Sequence, residues 1–116
     1  MATWDDVGRV ALGLPEVAAG KAHEGSPAYD VAGKQFARLR WDDEGREILQ
    51  FWSGESREAL VQGRPDAYWI TKAFPAAVFA WLDQLDDGEL REIITDSWRV
   101  RAPKRVVKAH PGEPAS

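Results

Sequence analysis

The sequence predicts an α+β domain: an antiparallel sheet with an N-terminal helix, a short middle helix and a long C-terminal helix packed on one face. Helical periodicity occurs near both ends of the chain, and alternating or β-branched stretches lie between them. The chain has 116 residues, 44% of them hydrophobic, which is enough for one core and too little for two. We therefore expect a single domain over residues 1–109 and a flexible C-terminal tail over residues 110–116.

The first helix is predicted to run from Thr3 to Leu14. Thr3 and Asp6 form a variant of the capping box, apolar residues then recur at helical spacing, and Pro15 ends the pattern. Asp5 and Asp6 lie in the first turn, where the helix dipole favours negative charge, so a structural role explains both.

Two hairpins are predicted next. Residues 21–24 are a weak strand candidate, and a second strand surrounds residues 29–31. The pair Ala32 and Gly33 then turns the chain into the clearest strand, residues 34–41. We interpret Lys34 as a turn residue that faces water, although a functional role for it stays open.

The loop of residues 43–45 fits a three-residue hairpin closed by a left-handed glycine. The register that follows pairs Leu39 with Leu49 and Ala37 with Phe51 on one face, and Arg40 with Ile48, Arg38 with Gln50 and Phe36 with Trp52 on the other. We expect the first face to be core. The second face should be a mixed aromatic and basic surface on which Arg38 and Arg40 emerge into solvent, because a helix-covered face would normally be aliphatic.

The second half of the chain returns to helices. Residues 58–61 suit a short helix, and residues 68–71 and 77–82 read as two more strands. A long helix begins at the Asp86 cap and continues to about Arg101, and Pro103 opens a final turn that ends near residue 108.

Two segments resemble a known family. Residues 25–37, Gly-Ser-Pro-Ala-Tyr-Asp-Val-Ala-Gly-Lys-Gln-Phe-Ala, follow the pattern G-x-P-x-aromatic-x-V-x-G-K-x-F-A of the MmcQ/YjbR family of small bacterial proteins, and residues 98–105 add to the match. The resemblance covers roughly residues 1–108. It implies the same fold, usually described as a double-wing, DNA-binding-like architecture, and brings no catalytic residues. The similarity of that fold to frataxin-like proteins implies a remote alternative, metal binding through Asp5, Asp6 and neighbouring carboxylates.

Composition excludes several function classes. Cysteine is absent, which removes disulfides and thiol chemistry. No apolar run approaches the length of about 20 residues needed to cross a bilayer, so we expect a cytoplasmic protein with no membrane partner. The net charge of −4 is unlike that of a dedicated nucleic-acid binder. A local basic cluster nevertheless follows the acidic segment before it: Arg99, Arg101, Lys104, Arg105 and Lys108.

No constellation of catalytic residues is visible. His23 beside Glu24 is more typical of an exposed strand histidine than of a metal or acid/base site, and the other histidine, His110, lies in the predicted tail. The serines lack a nucleophile elbow, and no glycine-rich phosphate loop occurs. We expect a protein that is not an enzyme and needs no cofactor.

Two hypotheses of function remain. The first is weak, sequence-nonspecific DNA binding by the basic and aromatic side chains of the second sheet face and the C-terminal cluster. Its residues are Lys34, Arg38, Arg40, Arg46, Trp52, Arg99, Arg101, Lys104, Arg105 and Lys108. The second is a small-molecule or protein-binding module with a pocket between the aromatic sheet face and the helices, walled by Tyr29, Trp52, Tyr68, Trp69 and Trp81.

Structural explanations compete with both hypotheses. The C-terminal cations could complement the negative end of the long helix and pair with the acids upstream. The aromatic side chains of the second face could be covered by residues 65–71, or could form a dimer interface, and the oligomeric state stays open.

Overall fold

The computed structural model describes residues 1–22, 24–54 and 56–109. The helices are α1 (Trp4–Ala11), α2 (Arg57–Gly63), α3 (Asp87–Arg101) and α4 (Lys104–Lys108), and the strands are β1 (Val17–Lys21), β2 (Pro27–Val31), β3 (Lys34–Trp41), β4 (Glu47–Trp52), β5 (Tyr68–Trp69) and β6 (Ala77–Trp81). All pairings are antiparallel, in the sheet order β1-β2-β3-β4-β6-β5. The predicted α+β fold class is confirmed. The predictions for His23 and for residues 110–116 lie outside the described residues.

The main core lies between one face of the sheet and the helices. Leu49 and Phe51 of β4 pack there with Leu90, Ile94 and Trp98 of α3, and all five are almost completely buried. The indole N–H of Trp98 donates to the carbonyl of Pro15 at 3.0 Å, so its polar atom is satisfied inside the core. This burial holds α3 across the central strands.

Helix α1 begins as predicted and ends earlier. The backbone N–H of Thr3 donates to the Asp6 carboxylate at 2.9 Å, and the N–H of Asp6 donates to the Thr3 hydroxyl at 3.4 Å, which completes the capping box. The helix stops at Ala11 instead of Leu14, because Gly13 is a poor helix former and Pro15 disfavours helical geometry at the residue before it.

The first strand lies earlier in the chain than predicted. It spans Val17–Lys21 and not residues 21–24, and it pairs with β2 from Val17 opposite Val31 to Lys21 opposite Pro27. Its central residues are small and have low β propensity. The strand is therefore defined by its pairing with β2 and not by a local sequence pattern.

The β3–β4 hairpin confirms most of the predicted register. Gly45 has φ +83°, and the Asp42 carboxylate accepts the backbone N–H groups of Glu44 and Arg46 at 2.9 and 2.8 Å. The observed pairs include Ala37 with Phe51, Arg38 with Gln50, Leu39 with Leu49 and Arg40 with Ile48. The loop chemistry therefore decides which side chains share a face.

The prediction for Phe36 is wrong. Tyr29 pairs with Ala37 and Asp30 with Gln35, so β3 carries one extra residue, Phe36, in a bulge. The bulge interrupts the alternation of side chains, and Phe36 lies completely buried in the main core instead of beside Trp52 on the other face.

Candidate functional site

The second face of the sheet forms its own surface, which we call the open face. Its residues are Arg38 and Arg40 of β3, Ile48, Gln50 and Trp52 of β4, Trp69 of β5, and Ala77, Phe79 and Trp81 of β6. The apolar cluster on this face contains residues of strands alone and none of the described helices. This agrees with the prediction of a mixed aromatic and basic face opposite the helices.

Aromatic rings pack against one another at one side of the open face. Trp69 stacks on Phe79 with ring centroids 5.7 Å apart and contacts Trp81 at 4.6 Å. Phe74, from the loop between β5 and β6, meets Phe79 edge-on at 5.8 Å. The three tryptophans of the face, including Trp52, remain partly exposed. Partly exposed rings offer apolar surface to a ligand.

Arg40 lies over these rings. Its Nε donates to Gln50 Oε1 at 2.7 Å, and its guanidinium carbon lies 4.8 Å from the ring centre of Phe74 and 5.9 Å from that of Phe79. Desolvation by burial lowers the pKa of Arg40, and the charge of Arg38 lowers it further. Within the described residues no carboxylate reaches Arg40 at salt-bridge distance. Arg40 is therefore a partly desolvated cation with room for an anionic partner.

Arg38 differs from its neighbour, and the prediction that it emerges into solvent is wrong. The residue is 8% exposed. Its Nη2 donates to Glu24 Oε1 at 2.6 Å, and its Nε donates to Ser26 Oγ at 3.2 Å. Glu24 and Ser26 belong to the turn before β2, a contact between distant residues that no local pattern in the sequence indicates.

Arg46 lies at the edge of the open face, where it is held by an acid. Its guanidinium donates two hydrogen bonds of 2.7 Å to the Asp83 carboxylate and lies 3.9 Å from the ring centre of Trp81. The hydrogen bonds between the two side chains raise the pKa of Arg46 and lower that of Asp83. The Asp83 carboxylate thus neutralises the charge of Arg46.

The C-terminal cluster meets the open face at Trp52. Arg101 places its guanidinium carbon 4.7 Å from the ring centre of Trp52, while its Nε donates to the carbonyl of Gln35 at 2.8 Å. Arg105 pairs with Glu16 at 2.9 Å. Among the remaining predicted site residues, Lys34, Lys104 and Lys108 are exposed and Arg99 is partly exposed. Within the described residues, Arg101 therefore connects the C-terminal cluster both to Trp52 and to Gln35 of β3.

The predicted five-walled aromatic pocket does not form. Tyr29 packs against Trp4 of α1, and Tyr68 is buried in the main core, where its hydroxyl donates to Glu89 Oε2 at 2.7 Å. Burial, helped by that hydrogen bond, raises the pKa of Tyr68. Adjacent strand residues face opposite sides, so Tyr68 faces the core and Trp69 the open face.

Phe74 is a contributor to the site that the sequence did not predict, since Phe74, and not residues 65–71, reaches over the open face. Gln50 was predicted on this face, and its hydrogen bond to Arg40 was not. A single exposed phenylalanine in a loop gives no periodic signal, although its position before Pro75 between two strands marks it as a loop residue.

The described part of the chain contains no group of three His, Cys, Asp or Glu side chains that could hold a metal ion. Asp6, proposed for metal binding by analogy, caps α1 and pairs with Arg9 at 3.0 Å. No helix among the described residues is long and apolar enough to span a membrane.

Fold and surface together define a small α+β protein whose sheet is covered by helices on one side and carries cations over aromatic rings on the other. The YjbR family model matches residues 12–100, well over half of the chain, so the chain belongs to the YjbR family. The resemblance carried by residues 25–37 is confirmed.

The chain is also similar to relatives in other bacteria and to a solved structure. Uncharacterized proteins of Mycobacterium bovis and Mycobacterium tuberculosis are 33% identical to the chain, in alignments that cover 94% of it and 95% of each relative. The crystal structure of the Deinococcus radiodurans protein DR2400, which has a DUF419 domain, is similar with a TM-score of 0.74 and 21% identity over 100% of this chain and 92% of the other. The structural likeness supports the fold alone.

Proposed function

We propose that this protein is a non-enzymatic binder of nucleic acid that takes up single-stranded DNA weakly, and without base preference, on the open face in the cytoplasm. The observation that carries the proposal is Arg40, a cation without a carboxylate partner among the described residues, placed over Phe74 and Phe79 on a face with three partly exposed tryptophans. Aromatic side chains stack on bases while cations hold the backbone.

The charges on the face favour a single strand over a duplex. A duplex presents regularly spaced phosphates that call for several free cations. Here Arg38, Arg46 and Arg105 are each paired with an acid, and the net charge of the chain is −4. Affinity then depends more on stacking than on ion release, which makes it modest.

The lack of base preference follows from the same geometry. Every base has a π-face that can stack on a tryptophan ring, and guanidinium groups over the rings contact phosphates, which are the same in all sequences. The DNA-binding residues in this proposal are Arg40, Trp52, Trp69, Trp81 and Arg101, with Lys34, Arg99, Lys104 and Lys108 as peripheral charges.

Fluorescence anisotropy with a labelled oligo-thymidine and a duplex of the same length tests the proposal. We expect the single strand to bind more tightly, with a slope of log affinity against log salt between about −0.7 and −2, since one to three phosphates are contacted. The Arg40→Gln variant should weaken binding roughly fivefold, because it removes one cation from the stacking surface.

The control is Arg91→Gln on α3, since Arg91 is exposed, pairs with Asp87 at 3.1 Å and lies off the open face. This variant should bind like the wild type. No binding at low salt, or equal losses in the Arg40 and Arg91 variants, would contradict the proposal.

A further inference from the structure

A cavity opens where β2 and β3 separate. The two strands pair as far as Ala28 opposite Arg38, and β2 does not pair with residues 39–41 of β3. Pro27 has no backbone N–H to donate, and Gly25, with φ +86°, turns the preceding chain away. The gap between this turn and the edge of β3 is an open cavity of about 400 Å³, lined by residues 24–27 and 38–41.

Two neighbouring guanidinium groups line this cavity with unused donors. Arg38 and Arg40 lie on the same face of β3, with Cα atoms about 7 Å apart for residues two positions apart on a strand. Within the described residues, Arg38 uses Nε and Nη2, which leaves Nη1 without a hydrogen-bond partner, and Arg40 uses Nε alone. Arg38 is buried, so its unused N–H groups are costly unless an acceptor reaches them.

The contact between Glu24 and Arg38 shows that the cavity accepts a carboxylate, which is an oxyanion. The Glu24 side chain is 72% exposed, yet its carboxylate reaches in to the Arg38 guanidinium, whose side chain is 10% exposed. An exposed carboxylate loses little by returning to water, so the pair is readily exchanged for a better anion. The Glu24 carboxylate thus lies at the position on Arg38 where the oxyanion of a ligand could bind.

We propose that the cavity binds a small phosphate monoester. The phosphate group replaces the Glu24 carboxylate at Arg38 and bridges to Arg40, and the organic part lies along the cavity wall formed by Pro27 and residues 39–41. Two guanidinium groups match a phosphate, which carries about −1.5 to −2 charge, better than a monovalent carboxylate. The volume suits a small organic ligand. The site shares Arg40 with the proposed DNA-binding face but needs none of the three tryptophans of that face, and so goes beyond the proposed DNA binding.

An isothermal calorimetric titration with phenyl phosphate at constant ionic strength tests this site. We expect saturable binding with a dissociation constant between about 0.1 and 1 mM, weaker binding of inorganic phosphate, and weakest binding of benzoate. Absence of saturable phenyl phosphate binding up to about 10 mM, or benzoate binding equally well, overturns the proposal.

Variants separate the cavity from unspecific attraction. Glu24→Gln should bind phenyl phosphate about two- to fivefold more tightly, because it removes the internal competitor. Arg40→Gln should bind about tenfold more weakly. The control Arg91→Gln should bind like the wild type. An unchanged or lower affinity in Glu24→Gln would contradict the displacement.

Oligonucleotides identify the source of the phosphate and keep the two proposals apart. If phenyl phosphate binds and an oligo-thymidine with hydroxyl ends does not, the cavity stands and the proposed DNA binding fails. Arg40 belongs to both sites, so if both ligands bind, a saturating amount of phenyl phosphate should lower oligonucleotide affinity by about the fivefold expected of Arg40→Gln. Unchanged oligonucleotide affinity would show that the two ligands do not share Arg40 and would contradict the bridged phosphate. If an oligonucleotide with a 5′ phosphate binds to the cavity and phenyl phosphate does not, the small-molecule proposal is wrong.

Discussion

Ser97 joins three elements through one buried hydroxyl. Its Oγ donates to the carbonyl of Phe36 at 2.6 Å and accepts the backbone N–H of Trp52 at 2.9 Å. The bulge at Phe36 and the end of β4 interrupt the regular ladder, so both backbone groups need a partner from outside the sheet. A serine on the buried face of α3 supplies it, and this fixes the helix to the strand ends that carry Trp52.

We expect Ser97→Ala to lower the free energy of unfolding by about 2 kcal/mol, because it leaves a partly buried N–H and a buried carbonyl without partners. Urea denaturation measures the change. Glu92→Ala, at an exposed position of the same helix, is the control and should change stability little. A loss no greater than that of the control would show that the hydroxyl does not connect these elements.

Arg38 and Arg40 show what residue-level reasoning can and cannot predict. Their spacing of two on one strand correctly predicts a shared face. Their different surroundings do not follow from spacing, because Glu24 comes from a turn and Phe74 from a distant loop. The chemistry of the site thus depends on contacts between segments far apart in the sequence.

Turns set the register of the elements around the site. The β2–β3 turn places Ala32 at φ +48° and Gly33 at φ +84°, as in a two-residue turn with both central residues left-handed. Alanine is strained in this region, whereas asparagine and glycine tolerate it. The chain therefore keeps one unfavourable residue at a turn next to Lys34.

Two substitutions at this turn should act in opposite directions. Ala32→Asn should stabilise the fold by about 0.5–1 kcal/mol, and Gly33→Ala should destabilise it by about 1 kcal/mol. A Cβ on Gly33 would meet nothing within 4 Å, so the second effect is conformational and not steric. Thermal unfolding of both variants measures the shifts. A shift of the same sign in both would contradict the assigned turn geometry.

The same elements explain which parts of the sheet the sequence predicts. The β3–β4 register follows from Gly45 and Asp42, which act over a few residues. Strand β1 and the bulge at Phe36 depend on pairing with β2, and no local sequence pattern predicts either of them. The fold class was accessible because helix caps and alternation are local, while the composition of the open face needed the full topology.

At the scale of the molecule, ion pairs explain how arginines on and near the open face coexist with an acidic net charge. The acids Glu16, Glu24 and Asp83 neutralise arginines at the positions where a charge map from sequence alone would show a basic patch. Among its described residues, the open face therefore has several aromatic rings and few cations that lack an acid partner. Such a surface is more typical of a stacking platform than of an electrostatic groove.

The tryptophans allow a direct measurement of where a single strand binds. In a nitrogen-15 correlation spectrum, added oligo-thymidine should shift the indole N–H signals of Trp52, Trp69 and Trp81 on the open face. The signals of Trp4 and Trp98, which pack on the helical side, should stay in place. Shifts at Trp4 or Trp98 without shifts at the open-face rings, or no shifts at all, would contradict binding to this face.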